Sequence, residues 1–248
     1  MIEQENRTRF ARQLVLEGVG EAGQERLANS RALVVGAGGL GSPACYYLAA
    51  AGVGTLGVVD CDRVGLSNLN RQVLYTTDDL GQPKAAAAAE RLAALNPQVR
   101  VIPYAERLGP ARARELAAAY DVVLECSDTF ATKFLVNEAC VTTGTPLVWA
   151  SVLGWEGQMS VVLPAQSGPC YRCLFPTQPC LEDAPTAREV GILGAVAGTM
   201  GAWQAVEALK LLLGVGTSLA GRLVLWDGWL GTTEIVTFAP RAGCPVCG

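Results

Sequence analysis

The feature that most restricts the fold is an apolar run, a glycine cluster and a second apolar run packed between Arg31 and Asp60. Residues 32–35 and 56–59 are nearly continuous aliphatic stretches, as strands of a parallel sheet covered on both faces must be. Between them Gly36-Ala-Gly38-Gly39-Leu-Gly41 turns the chain into a helix expected over 42–51. Glycines at that junction let backbone amides approach a phosphate at the positive helix end without side-chain obstruction. Asp60 follows Gly41 by 19 residues, at the end of the second strand, where a carboxylate can accept hydrogen bonds from a ribose. The two features together point to an adenosine nucleotide without saying which; the alternative is a merely tight strand-to-helix turn.

Strand and helix keep alternating downstream. The segment 60–81 is too rich in Asn, Asp and Arg for a core element, and its length points to function rather than connection. An alanine-rich helix is expected over 83–95, a strand over 99–103, a helix over 111–118 and a strand over 121–124. This order predicts a Rossmann-like, doubly wound, mostly parallel sheet over the first 150 residues. After Pro146 the expected strands, 147–150, 157–163, 223–226 and 234–238, crowd around one long helix, which predicts an antiparallel C-terminal extension of the same sheet. No linker or repeat divides the chain, so a single domain is expected over 1–248: a helical arm over about 1–30, a nucleotide-binding half over about 31–150 and a C-terminal half over about 151–248.

Charge clustered after the glycine motif separates ATP from NAD. Arg71, Lys84 and Asp128, with Asn68 and Asn70 nearby, offer two cations for phosphates and a carboxylate for Mg²⁺, a set that hydride transfer does not need. No GxxxxGK[ST] loop is present, so a triphosphate has to be met by the glycine turn and separate basic residues. Taken singly, Arg71 and Lys84 read equally as ordinary solvated charges. Asp128 is expected at the carboxyl edge of the sheet, where open α/β folds bind ligands; N-capping of a helix by Asp128 or Thr129 is the competing role.

Cys170-Tyr-Arg-Cys173 and Cys244-Pro-Val-Cys247 are the strongest local signal. Two such knuckles can wrap one tetrahedral Zn²⁺ with four thiolates, leaving no position open for substrate, so the expected role is structural. A redox CxxC or two local disulfides are the alternatives. Cys180, in the loop after the first pair, could serve as an exposed nucleophile or sulfur carrier, while Cys45, Cys61, Cys126 and Cys140 read as small buried apolar residues. The chain contains no histidine, which excludes Cys-His dyads, Ser-His-Asp triads and His-ligated zinc.

Net charge of −4 and the lack of a basic run argue against a nucleic-acid surface. The polar N-terminus lacks a signal-peptide core and the nine cysteines suit a reducing compartment, so a cytoplasmic protein is expected. The apolar stretch 191–214, with Gly194 and Gly198 in GxxxG spacing, reads as a buried helix rather than a membrane span, because Gln204, Glu207 and Lys210 interrupt it.

Eight motifs in order resemble the MoeB/ThiF/HesA family, bacterial relatives of ubiquitin-activating enzymes, over essentially the whole chain. They are Arg9-Phe-Ala-Arg12-Gln13, the glycine motif, Asp60-Cys-Asp62, Ser67-Asn-Leu-Asn-Arg71-Gln72, Gly81-Gln-Pro-Lys84, Cys126-Ser-Asp128, the paired CxxC knuckles and Gln204-Ala-Val-Glu207-Ala-Leu-Lys210. The resemblance implies that Gly39, Asp60, Ser67, Asn68, Asn70, Arg71, Lys84 and Asp128 hold ATP and Mg²⁺, with Arg71 and Lys84 on the phosphates. It implies a homodimer in which Arg12 reaches the partner subunit's site, and a C-terminal half that binds a ubiquitin-like sulfur-carrier protein. The implied reaction is adenylation of the carrier's Gly-Gly carboxylate with loss of pyrophosphate, followed by sulfur transfer involving a cysteine desulfurase or sulfurtransferase. Relatives commonly carry a cysteine where this chain has Ala187, so the resemblance implies adenylation more fully than any covalent sulfur step. Two other readings stay open on the residues: an NAD(P)-dependent oxidoreductase, and a non-catalytic zinc-bound scaffold that keeps ATP as a structural ligand.

Overall fold

The structure is a computed structural model that describes residues 4–179 and 187–248. In chain order its helices and strands are α1 (Gln4–Arg9), α2 (Ala11–Leu14), α3 (Gly20–Asn29), β1 (Arg31–Val35), α4 (Gly41–Ala51), β2 (Thr55–Val59), α5 (Lys84–Leu95), β3 (Arg100–Tyr104), α6 (Pro110–Ala118), β4 (Val122–Glu125) and α7 (Phe130–Thr143). There follow β5 (Leu147–Leu153), β6 (Glu156–Val162), α8 (Tyr171–Leu174), α9 (Ala187–Val190), α10 (Gly194–Leu213), β7 (Arg222–Asp227) and β8 (Thr232–Thr237).

Among the described residues the strands form one sheet in the order β3-β2-β1-β4-β5-β6-β7-β8. The first five are parallel, and β6, β7 and β8 add on antiparallel, as the crowded late strands foretold. The order reverses between β1 and β4, so the carboxyl ends of these neighbours flank the crevice where such sheets bind ligands.

Alternation along β1 explains why the strand reads as continuously apolar. Ala32 and Val34 join a core with Leu48, Leu92 and Met200, whereas Leu33 and Val35 join another with Leu116, Val136 and Trp149. Each strand face therefore has its own helical cover. The apolar stretch near the C-terminal half becomes α10, which buries Gln204 and Glu207 as well as aliphatic residues. No helix among the described residues is long and apolar enough to cross a membrane.

Three sequence expectations need correction. The 60–81 segment is not free of core residues, because Val64, Leu74 and Tyr75 are buried within it. Cys61 is exposed rather than buried: it lies two residues beyond the end of β2, where the chain has left the sheet. Pro83 is the residue before α5, and the helix itself starts at Lys84, since Pro83 keeps an extended backbone there.

Candidate active site

The four glycines of the turn divide their work. Gly36 has a φ of +92°, and a Cβ there would lie 2.9 Å from the backbone of Cys126 and Ser127. A Cβ on Gly41 would fall 1.9 Å from the Gly36 carbonyl oxygen. These two make the turn and its seam with the end of β4. Gly38 and Gly39 face side chains instead: a Cβ on Gly38 would sit 3.5 Å from Gln72 Nε2, and one on Gly39 would sit 3.6 Å from Arg71 Cγ. Arg71 is thus carried over the glycine turn.

The turn is tied to both neighbouring elements. Asp60 accepts hydrogen bonds from the Ala37 amide at 2.9 Å and the Asp62 amide at 2.8 Å. Burial raises its pKa above the ordinary carboxylate value, against the opposing pull of Lys84 and the two amides. The Tyr75 hydroxyl donates to the Ala37 carbonyl at 2.9 Å, so the buried part of the 60–81 segment braces the turn from below. Lys84, the first residue of α5, is only 5% exposed and reaches Asp62 Oδ2 at 3.2 Å. It is therefore not a solvated surface charge, although Asp62 is exposed.

Arg71 is held at the right place by its own loop. Its Nη1 donates to the Ser67 carbonyl at 3.0 Å and to Asn70 Oδ1 at 3.1 Å. Asn68 closes the preceding turn by accepting from the Gly65 amide at 3.0 Å. A Cβ on Gly194 would lie 2.4 Å from the Asn70 carbonyl oxygen, so the first residue of α10 must be small to seat this loop. In this geometry Ser67, Asn68 and Asn70 shape and orient the Arg71 loop.

At the end of β4 the capping question resolves. Thr129 is the N-cap of α7, its hydroxyl accepting from the Thr132 amide, and Asp128 is exposed with no hydrogen bond or ion pair among the described residues. Asp128 directly follows the Cys126-Ser127 backbone that abuts Gly36, which sets its carboxylate beside the glycine turn. A hard cation needs such oxygen donors, so the site fits Mg²⁺. Sequence reasoning missed what lies beneath: Glu125 and Lys133 form a buried ion pair, and Gln204 on α10 donates to the Glu125 and Val148 carbonyls while accepting from the Cys126 thiol. Glu125 reads as the polar end of a strand and Lys133 as a helix surface charge, so no local signal announced the pair.

Arg12 does not join this group. Its neighbour Gln13 donates to the Ala51 carbonyl, at the C-terminal end of α4. The 11 residues of α4 span about 16 Å at 1.5 Å per residue, and the glycine turn lies at the other end. Arg12 is exposed, as are Val15 and Leu16 beside it.

The four knuckle cysteines converge. All four sulfur atoms lie within 4.8 Å of one another, with Cys170 Sγ 3.7 Å from Cys244 Sγ and Cys173 Sγ 3.4 Å from Cys247 Sγ. A tetrahedral ion with bonds of about 2.3 Å puts sulfurs about 3.8 Å apart, so the cluster fits zinc. These are not disulfide distances, and the close contacts run between knuckles rather than within them. Burial raises the Cys244 thiol, but hydrogen bonds with the Cys247 and Val246 amides and with the Cys247 and Cys170 thiols bring it down to about 6, while burial pushes the Cys170 and Cys247 thiols up. Tyr171 anchors the first knuckle, stacking edge-on against Trp149 with centroids 4.9 Å apart and donating its amide to Asn137 Oδ1 at 2.9 Å. Cys180 lies outside the described residues.

Comparison with known proteins concerns the chain as a whole. The model of the ThiF family matches residues 10–246. A sulfur carrier protein adenylyltransferase of Thermus thermophilus is 49% identical, covering 97% of this chain and 90% of that one. A sulfur carrier protein ThiS adenylyltransferase of Escherichia coli is 44% identical over 97% of this chain and 94% of that one. A crystal structure of Escherichia coli MccB with succinimide superposes with a TM-score of 0.84 over 100% of this chain and 75% of that one, and at 20% identity it speaks for the fold alone.

Proposed function

Because the chain belongs to the ThiF family, we propose that it is an ATP-dependent adenylyltransferase for a ubiquitin-like sulfur-carrier protein of the MoaD or ThiS type. What supports this reading is that Arg71 lies against Gly39, Lys84 pairs with Asp62 beside the Asp60 that holds the turn, and Asp128 follows the Ser127 backbone that abuts Gly36. Two cations and an uncommitted carboxylate suit a triphosphate; a dinucleotide undergoing hydride transfer would leave them without work.

In this reading the phosphates lie across Gly38 and Gly39, and Asp60 receives the ribose on oxygens that already hold the turn. Arg71 and Lys84 meet the phosphate charge. The carrier's terminal carboxylate attacks the α-phosphorus, the bond to the bridging oxygen breaks, and pyrophosphate departs to leave an acyl-adenylate. The attacking carboxylate is already ionised, so alignment and charge stabilisation rather than a general base supply the rate. Magnesium, when bound at Asp128, neutralises phosphate charge. Cys170, Cys173, Cys244 and Cys247 would hold zinc with four thiolates, a donor set that would leave it a structural role.

We assign Arg12 to the partner subunit's site in a homodimer. The length of α4 between Arg12 and its own glycine turn supports this, as do the exposed Val15 and Leu16 beside it, which a second subunit could cover. We read the chain as one adenylation domain working in the cytoplasm, with sulfur arriving from a separate desulfurase or sulfurtransferase. The test is ATP–pyrophosphate exchange with MoaD- and ThiS-type carriers. Exchange that requires a carrier with a free Gly-Gly terminus is expected; exchange absent with every such carrier would refute the reading.

A further inference from the structure

We propose that the buried Glu125–Lys133 pair is a positioning device for Asp128 and thereby sets how much magnesium is needed to hold ATP. The inference rests on the assignment of Asp128 to magnesium made above. Glu125 is fully buried at the last position of β4, with Lys133 only 5% exposed. Both of its oxygens are committed. Oε1 accepts the Ser127 amide at 2.9 Å and also the Ser127 hydroxyl, while Oε2 pairs with Lys133 Nζ. Lys133 donates further to the Ala150 carbonyl of β5 at 2.6 Å.

A buried ion pair is costly to desolvate, and well-packed apolar residues in its place are often as stable, so cohesion alone does not account for it. What the pair does hold is the turn on which Asp128 sits. Ser127, the residue before Asp128, is bonded twice to Glu125. Lys133, in the first turn of α7 after the Thr129 cap, is bonded to the other oxygen of the same carboxylate. Among the described residues Asp128 has no hydrogen bond or ion pair of its own, so its orientation depends on these flanking anchors. Outer groups that orient a metal ligand characteristically change metal affinity by about 10–100-fold when removed.

The experiment is calorimetric titration of the purified protein with ATP across a series of MgCl₂ concentrations and in EDTA, with the zinc content and melting temperature of each variant recorded. Asp128→Asn is the reference. In the double variant Glu125→Gln/Lys133→Met, which leaves no buried charge unpaired, the magnesium concentration that half-restores tight ATP binding should rise about tenfold. Affinity in EDTA should stay at the wild-type value, and Lys133→Arg should recover most of the loss. A purely structural pair would lower the folded fraction without moving that midpoint. Should the double variant not fold, Glu125→Asp keeps the charge but draws the acceptor back from Ser127, and a smaller rise is expected. An unmoved midpoint in the folded variant, alongside a shifted one in Asp128→Asn, overturns the positioning role and spares the assignment of Asp128. An unmoved midpoint in Asp128→Asn itself overturns that assignment, and this inference with it.

Discussion

Strand β4 buries all of its residues and β1 and β2 all but the first, whereas every residue of β8 is exposed and only one position of β7 is buried. The central parallel strands are held by apolar burial on both faces, at roughly 25 cal/mol per Å² removed from water. The antiparallel end has too little apolar cover for that. There the four-cysteine cluster brings the segment after β6 together with the segment after β8, beside strands that packing covers least. Chemistry and cohesion are thus separated: the candidate nucleotide site sits at the carboxyl ends of the parallel strands, and the four-cysteine cluster joins segments at the other end.

If that separation holds, removing a phosphate-facing cation should destroy activity and leave stability alone. Arg71→Ala is expected to lower pyrophosphate exchange by about 100- to 1,000-fold at an unchanged melting temperature, because only charge stabilisation is lost. An equal loss of stability would show that the site also supports the fold.

Cys173→Ser probes the opposite end. It should release the metal and lower the melting temperature by about 10 °C, with zinc content and calorimetry as the measurements. A variant that keeps both would break the comparison, since β7 and β8 would then need some other support.

Gly36→Ala tests the place where the two functions meet. With φ at +92° and backbone 2.9 Å from the new methyl group, it should cost about 2–3 kcal/mol in denaturant unfolding and weaken ATP binding together. The smallest effect belongs to Thr129→Ala, which removes the N-cap of α7 and should cost about 1 kcal/mol with magnesium dependence little changed.

How much of this could be read in advance follows the same division. The strands of the parallel half were legible because burial on both faces writes itself as an unbroken aliphatic run, as in residues 56–59. The knuckles were legible by their spacing, and their four sulfurs do converge. What stayed hidden depended on partners far along the chain or on single-residue geometry. Glu125 and Gln204 are 79 residues apart, and nothing local reveals that the amide of one reaches the carbonyl of the other. Cys61 was misplaced because burial changes within two residues of a strand end. The choice between Asp128 and Thr129 as helix cap turned on backbone angles that composition does not encode.

The central claim is that a triphosphate spans the glycine turn between two cations and one carboxylate. A crystal structure of the protein with magnesium and a non-hydrolysable ATP analogue tests it most directly. The expected result has phosphate oxygens on Arg71 and Lys84, the metal on Asp128 and the ribose at Asp60. Density for the analogue elsewhere, with those three side chains untouched, would contradict it.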